Sequence, residues 1–193
     1  MKGFFFISIC ALVFVDSILA QNGNISNELF FSVKKLDSTI NLNNVDYELI
    51  NLAVLHYTND HRKKKHKKSL IYNKILEKSA LLHSSEMEKY KFFSHVNRRN
   101  KKFKTLEDRA QSVGYKYYKG LAENLYYGYL DSQDISTYNE LGKTITQAFI
   151  DSKSHNINLL DKNLEEIGLA LVFKNKTEDG FLYYYFTQSF GTR

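Results

Sequence analysis

The chain is short of the residues that stiffen or staple small proteins. It has one Cys, no Pro and no Trp among 193 residues. A single thiol excludes an internal disulfide framework and a Cys-built zinc site. The absence of Pro excludes collagen-like and Pro-rich linker segments. A large excess of one sign of charge is also lacking: 27 Lys and Arg stand against 21 Asp and Glu, a formal balance of +6. That modest excess does not mark a nucleic-acid binder. Apolar residues are not lacking. They make up 43% of the chain, with 14 Tyr and 14 Phe. This argues against wholesale disorder and suits one domain of ordinary size with its own core.

Residues 1–20 read as a secretory signal peptide. Lys2 supplies the positive start. The stretch from Phe4 to Val15 is apolar apart from Ser8, and Ala20 is a small residue placed for cleavage. The apolar run meets Asp16 and falls short of the roughly 20 residues of a membrane span. Cleavage would remove Cys10, the only thiol, before the protein met an oxidising, secreted or periplasmic compartment. Residues 21–43 are polar apart from Leu29-Phe30-Phe31 and read as a leader or linker, with a domain over 44–193.

Within that domain the spacing predicts helices over Val45–Arg62, Asn73–Lys91, a short stretch after Thr105, and Ile135–Ser154. Asn73 is placed to cap the second helix. Thr105 and Asp108 form a capping box, and Gly114 ends the third helix. Strands are expected over Ile167–Phe173 and Phe181–Phe190, joined through Lys176–Gly180. Helices first and strands late suggest an α+β layered domain. The basic run at residues 61–68 is either a solvated helix end, which suits the helix dipole, or a contact for an anionic envelope or polysaccharide.

Four places set ionisable residues among apolar ones: Phe93-Ser94-His95, Ala122-Glu123-Asn124, Asp151–His155 and Glu165–Gly168. Each is weak alone, but their order carries a resemblance. Asn59 and Arg62, then Ala80, His83 and Met87 leading to Phe93-Ser94-His95, then Arg109-Ala110 and Gly114-Tyr115, follow the bacterial branch of the CAP superfamily. The sequence continues in that order with Ala122-Glu123-Asn124, with Phe149, Ser152, His155 and Asn158-Leu159-Leu160, with Glu166-Ile167-Gly168, and with Phe186–Gly191. The chain resembles that family, the domain of cysteine-rich secretory proteins, antigen 5 and pathogenesis-related 1 proteins, over about residues 45–191. It departs at Ala122, where the family has Gly, at Phe149 and Phe186, where it has Trp, and at Ser154 and Asn156, where it has Gly and Arg. Trp to Phe keeps apolar area and drops an N–H donor.

The resemblance implies an α-β-α sandwich with a central cleft, lined by His95, Glu123 and His155, with Ser152 and Glu166 as weaker candidates. Two imidazoles and a carboxylate can bind Zn²⁺ or another divalent metal with one position open. The same three groups can equally form a metal-free network in which Glu123 fixes one imidazole tautomer. Ser152 and His155 stand three apart, the start of a nucleophile and base pair if one helical turn holds both. No Gly-x-Ser-x-Gly elbow accompanies them. The tyrosines around Glu123 and at Tyr183–Tyr185 suit either core filling or the rim of a ligand groove, and some relatives bind lipids. The expectation is non-catalytic binding of a metal, lipid or envelope component. The alternatives are an extracellular hydrolase, metal-dependent or Ser/His-based, and an interaction protein with a vestigial cleft.

Overall fold

The structure is a computed structural model that describes residues 34–131, 136–174 and 180–193. The expected signal peptide, most of the expected leader and the turn before Gly180 lie outside those residues. Among the described residues five α-helices and four strands follow in chain order: α1 Tyr47–Lys64, β1 Ile71–Tyr72, α2 Lys74–Tyr90, α3 Leu106–Ser112, β2 Gly120–Asp131, α4 Tyr138–Asp151, α5 Lys153–Leu160, β3 Glu166–Phe173 and β4 Phe181–Thr192. The sheet order is β1-β3-β4-β2. β1 runs parallel to β3, and the β3–β4 and β4–β2 pairs are antiparallel.

The caps do what their chemistry requires. Asn73 accepts from the N–H groups of Ile75 and Leu76 and starts α2. Thr105 and Asp108 close a reciprocal capping box on α3. Thr137 and Glu140 do the same for α4, which places its start later than the expected Ile135. Its end differs too. Ser152 is extended (φ −87°, ψ 113°) and makes no side-chain cap bond, so the expected single helix is two, with a break at that residue.

Side chains alternate across the sheet and divide it into layers. Ala122, Tyr126 and Leu130 of β2 join Phe186 and Phe190 of β4 against Ile50, Val54, Ile145, Phe149 and Leu159 of α1, α4 and α5. On the opposite face Leu125 and Tyr185 pack on Met87 of α2, and Leu121 packs with Leu76, Ala110 and Tyr115. This is the expected α-β-α sandwich. Each fully buried Leu, Ile or Phe contributes about 1.5–3 kcal/mol, so the core holds the layers without a disulfide. Gly168 brings α2 onto β3: a Cβ there would lie 2.0 Å from the Glu77 nitrogen and 2.1 Å from the Leu76 carbonyl carbon.

Three further expectations change. β1 and the long β2 precede α4, so strands are not confined to the late chain. Residues 36–40, expected as linker, pack on the domain: Leu36 and Ile40 are buried and Thr39 bridges Thr137. Arg62 and His61 are not part of a basic patch. The Arg62 guanidinium is buried and donates to the carbonyls of Lys68 (2.7 Å), Leu159 (2.7 Å), Asp161 (3.0 Å) and Leu164 (3.3 Å). His61 bonds Asn156 at 2.9 Å. Only the lysines and His66 of the run face outward.

Candidate functional site

α2 ends at Lys91 in the left-handed conformation (φ +53°), whose N–H bonds back to the Met87 carbonyl. The reversal throws Phe92–His95 toward β2. His83, two turns before the helix end, pins this segment by bonding the Ser94 carbonyl through Nε2 at 3.0 Å. A carbonyl only accepts, so His83 carries its proton on Nε2, and its buried Nδ1 has no partner. Burial pushes the His83 pKa down to about 4, against the pull of the Glu123 charge, so this imidazole is neutral at neutral pH.

Glu123 sits on β2, facing α2 and α3, and is almost fully buried. Its Oε1 is 2.9 Å from Nδ1 of His95 and 3.7 Å from Nε2 of His83. Its Oε2 accepts from Nη2 of Arg109 at 2.7 Å, and Arg109 is itself fully buried. Burial alone would raise the Glu123 pKa. The His95 hydrogen bond, with the Arg109 charge and hydrogen bond, outweighs it and holds the carboxyl below its ordinary value. Arg109 also lies 3.4 Å from the carbonyl of His95. The Glu123–Arg109 pair therefore fixes the ring and the backbone of one residue at once. The His95 side chain remains 57% exposed, with Nε2 as its free nitrogen.

Neighbouring Asn124 points to the other face, by strand alternation. Its amide donates to the carbonyl of His155 (3.1 Å) and to Gln188 (3.0 Å), and accepts from Asn158 (2.9 Å). These bonds seat the start of α5 against β2. The His155 ring meets Phe149 edge-on at 5.2 Å. Partial burial, with the charge of His95 second, lowers the His155 pKa. His95 and His155 thus flank edge strand β2, the ring of the first held by Glu123 and the backbone of the second by Asn124.

The other expected residues are elsewhere. Ser152 lies between helices, its Oγ 3.2 Å from that of Ser154, so no shared helical turn pairs it with His155. Glu166 accepts from Asn73 (3.0 Å), Tyr115 (2.6 Å) and Arg193 (2.8 Å). It ties the start of α2 to the chain end and does not join Glu123. Two residues of the network, His83 and Arg109, were legible as motif positions. Helical spacing marks His83 as core, and nothing in the sequence shows that Arg109 reaches Glu123.

His95, Glu123 and His155 do not fit a three-ligand metal centre. Both Glu123 oxygens are engaged, one of them by a guanidinium, and a cation beside that group would meet like charge. Among the described residues no three His, Cys, Asp or Glu side chains are grouped to hold a metal ion.

Beyond Leu125 the sheet face continues without helical cover, because α2 has ended. Phe93 packs against Tyr127 (ring centroids 6.2 Å), Tyr127 stacks on Tyr183 (5.6 Å), and Tyr129 meets Phe181 (4.8 Å). Phe93 and Tyr129 are 52% and 58% exposed. An aromatic ledge therefore begins two residues from His95 and runs along β2 and β4.

The order of these residues and the three-layer fold that seats them match one family model, the cysteine-rich secretory protein family, over residues 55–190. The chain belongs to the CAP family. Solved structures agree with this CAP fold. An extracellular protein containing an SCP domain from Bacillus anthracis is 21% identical with TM-score 0.59, covering 76% of this chain and 41% of that one. An outer surface protein from Borrelia burgdorferi is 20% identical with TM-score 0.58, covering 81% of this chain and 98% of that one. The CAP domain of enterococcal PrgA is 18% identical with TM-score 0.51, covering 96% and 79%. The chain thus spans less than half of the Bacillus protein. No curated protein matches it. Within the CAP domain, Phe149 and Phe186 pack on each other at 6.2 Å where the family has Trp. The core keeps its rings and has no indole N–H to satisfy.

Proposed function

We propose that this CAP domain is a secreted, non-catalytic binding module. Its ligand lies across edge strand β2, between His95 and His155 and along the aromatic ledge. The observation that carries this reading is the state of Glu123. The acidic group of the cleft is locked between Arg109 and His95, which leaves no free carboxylate there to act as general acid or base. Ser152 has no histidine partner to activate it. The groups left to meet a ligand are the outer nitrogen of His95, the His155 ring and exposed Phe93, Tyr127 and Tyr129. That surface suits an amphipathic molecule with a flat apolar face and polar edge, such as a ring-built lipid or an envelope component. Secretion is supported by the signal-like first twenty residues. Two structural neighbours are described as extracellular and outer-surface proteins. No helix among the described residues is long and apolar enough to cross a membrane.

The test is a titration of the secreted protein with a fluorescent sterol and a fluorescent fatty acid, beside the His95→Ala/His155→Ala double variant. Saturable binding that weakens in the variant, without turnover of peptide, ester or peptidoglycan substrates, supports the reading. Turnover that disappears in Glu123→Gln overturns it.

A further inference from the structure

The basic run after α1 takes no part in the ligand surface on β2, and the structure gives it a fixed shape. The Arg62 carbonyl accepts from the N–H groups of Lys65 (3.0 Å) and Lys67 (2.9 Å), and the His66 N–H donates to the Lys63 carbonyl (3.0 Å). His66 takes the left-handed conformation (φ +55°) that reverses a chain at a helix end. The Arg62 guanidinium then ties the far side of this turn, at Lys68, to the loop after α5. That loop adds exposed Lys162 to the same end of the molecule. The lysines of 63–68 therefore stand on a clamped turn, and all but half-buried Lys67 are exposed. The nearby acids Asp60 and Asp161 are engaged. Asp60 pairs with Lys64 at 2.6 Å, and Asp161 faces the buried Arg62 charge and accepts from the Asn163 N–H. Among the described residues no carboxylate pairs with Lys63, Lys65, Lys67 or Lys68.

The turn borders a groove of about 240 Å³ between α1 and α4, and Lys64 belongs to both. Lys143, Gln147 and Ile150 of α4 face Tyr57 and His61 of α1 there. Lys143 is exposed and has no acid partner among the described residues. The Gln147 amide gives a hydrogen to Asp151 at 2.8 Å and keeps a second N–H and its oxygen. The Tyr57 hydroxyl gives its only proton to Asn139 at 2.7 Å, so toward the groove it can only accept. Two cations, an amide and a hydroxyl acceptor thus surround half-buried Ile150. A sugar ring, with hydroxyls at its edges and C–H groups on its faces, suits that mixture. The groove is smaller than the roughly 300–1,000 Å³ of a drug-sized ligand pocket, so it takes one ring of a chain.

We propose that the end of α1 and this groove form a second binding surface, for a linear acidic polysaccharide. One anionic sugar rests in the groove beside Lys64 and Lys143, and the chain passes over the lysines of the turn. Charge complementarity carries the choice of a polyanion. The run's only Arg is buried as a clamp, and a Lys is a point charge without the Arg fork. Recognition here therefore rests on the number and placement of charges, which a repeating acidic chain matches. Residues 63–69 hold no apolar side chain to sink into a bilayer, and a polybasic patch alone is a weak membrane anchor.

The experiment is a calorimetric titration of the whole protein with heparin fragments, followed by amide NMR to place them. The expected result is saturable binding, with shifts concentrated at residues 60–68 and 143–150. Replacing exposed Lys63, Lys65 and Lys68 together by Gln should weaken binding about tenfold. Lys143→Gln, distant in sequence but across the groove, should weaken it roughly threefold. A matched triple variant on the α2 side of the sheet, Lys78→Gln/Lys89→Gln/Lys102→Gln, removes the same charge and should leave binding unchanged. All of these side chains are exposed, so every variant should keep the wild-type denaturation midpoint. Equal losses in the two triple variants would mean that net charge alone attracts heparin and would overturn the proposal. So would unchanged binding in Lys143→Gln, or no saturable binding at all. Tighter binding to phosphatidylserine vesicles or to single-stranded DNA than to heparin would assign the face to another partner and overturn it as well.

Discussion

At the scale of single residues, charge and burial make His83 and Glu123 the sensitive points. Unfolded, His83 titrates near 6.5; folded, its pKa is about 4. Its neutral form is favoured by folding, so the associated stability is complete above about pH 6.5 and is lost as pH falls toward 4. The difference is worth up to roughly 3 kcal/mol. Urea denaturation across that window should show stability falling with acid, and His83→Gln should flatten the slope. A profile unchanged by the substitution would contradict a neutral buried imidazole. The Glu123 carboxylate has the same sign at lower pH, because its folded pKa is depressed: its contribution is present above its unfolded pKa and lost as it protonates. Glu123→Gln leaves Arg109 buried without a countercharge and should cost about 3–5 kcal/mol at neutral pH. A loss below about 1 kcal/mol would show that Arg109 finds compensation elsewhere.

Among the elements, Gly168 gives the plainest prediction. Its Cβ position is filled by the backbone of α2 at Leu76 and Glu77, which cannot move without lifting the helix from β3. Gly168→Ala should destabilise by about 1–3 kcal/mol, read as a lower urea midpoint with an unchanged slope. The elements also show how much a sequence conveys. α2 and α3 were legible because Asn73, Thr105 and Asp108 are local signals acting on their own backbone. α4 carried an equally local signal in Thr137 and Glu140, which the apolar spacing obscured. β2 was not legible as a strand. Its middle, Glu123 to Leu125, is buried on both faces, so no polar alternation appears, and Tyr on either face reads like core. β1 is too short for any period. The same division holds at the site. His95, Glu123 and His155 stood out by motif order, whereas the Arg109 contact depends on how α3 lies against β2.

For the molecule as a whole, the scarcity of Cys is met by buried polar clamps as well as by apolar packing. Arg62 gathers four carbonyls, one from the stretch after α1 and three from the end of α5 and the loop beyond it. Asn59 exchanges two bonds with Leu70, at 2.7 and 3.0 Å. Glu166 joins the cap of α2 to Arg193. These clamps hold the layers in register while leaving one sheet face bare past Leu125. The surface next to His95 is thus a consequence of where α2 stops.

The central claim is that this bare aromatic face and the flanking histidines bind an amphipathic ligand. It is tested most directly by the affinity of the protein for a fluorescent sterol, compared with Phe93→Ser and Tyr129→Ser. Both residues are exposed, so the variants should keep the wild-type denaturation midpoint. Loss of an aromatic contact worth about 1.4 kcal/mol corresponds to a roughly tenfold weaker Kd, and that is the expected change for each. No saturable binding by the wild type, or equal binding by all three proteins, would contradict the account.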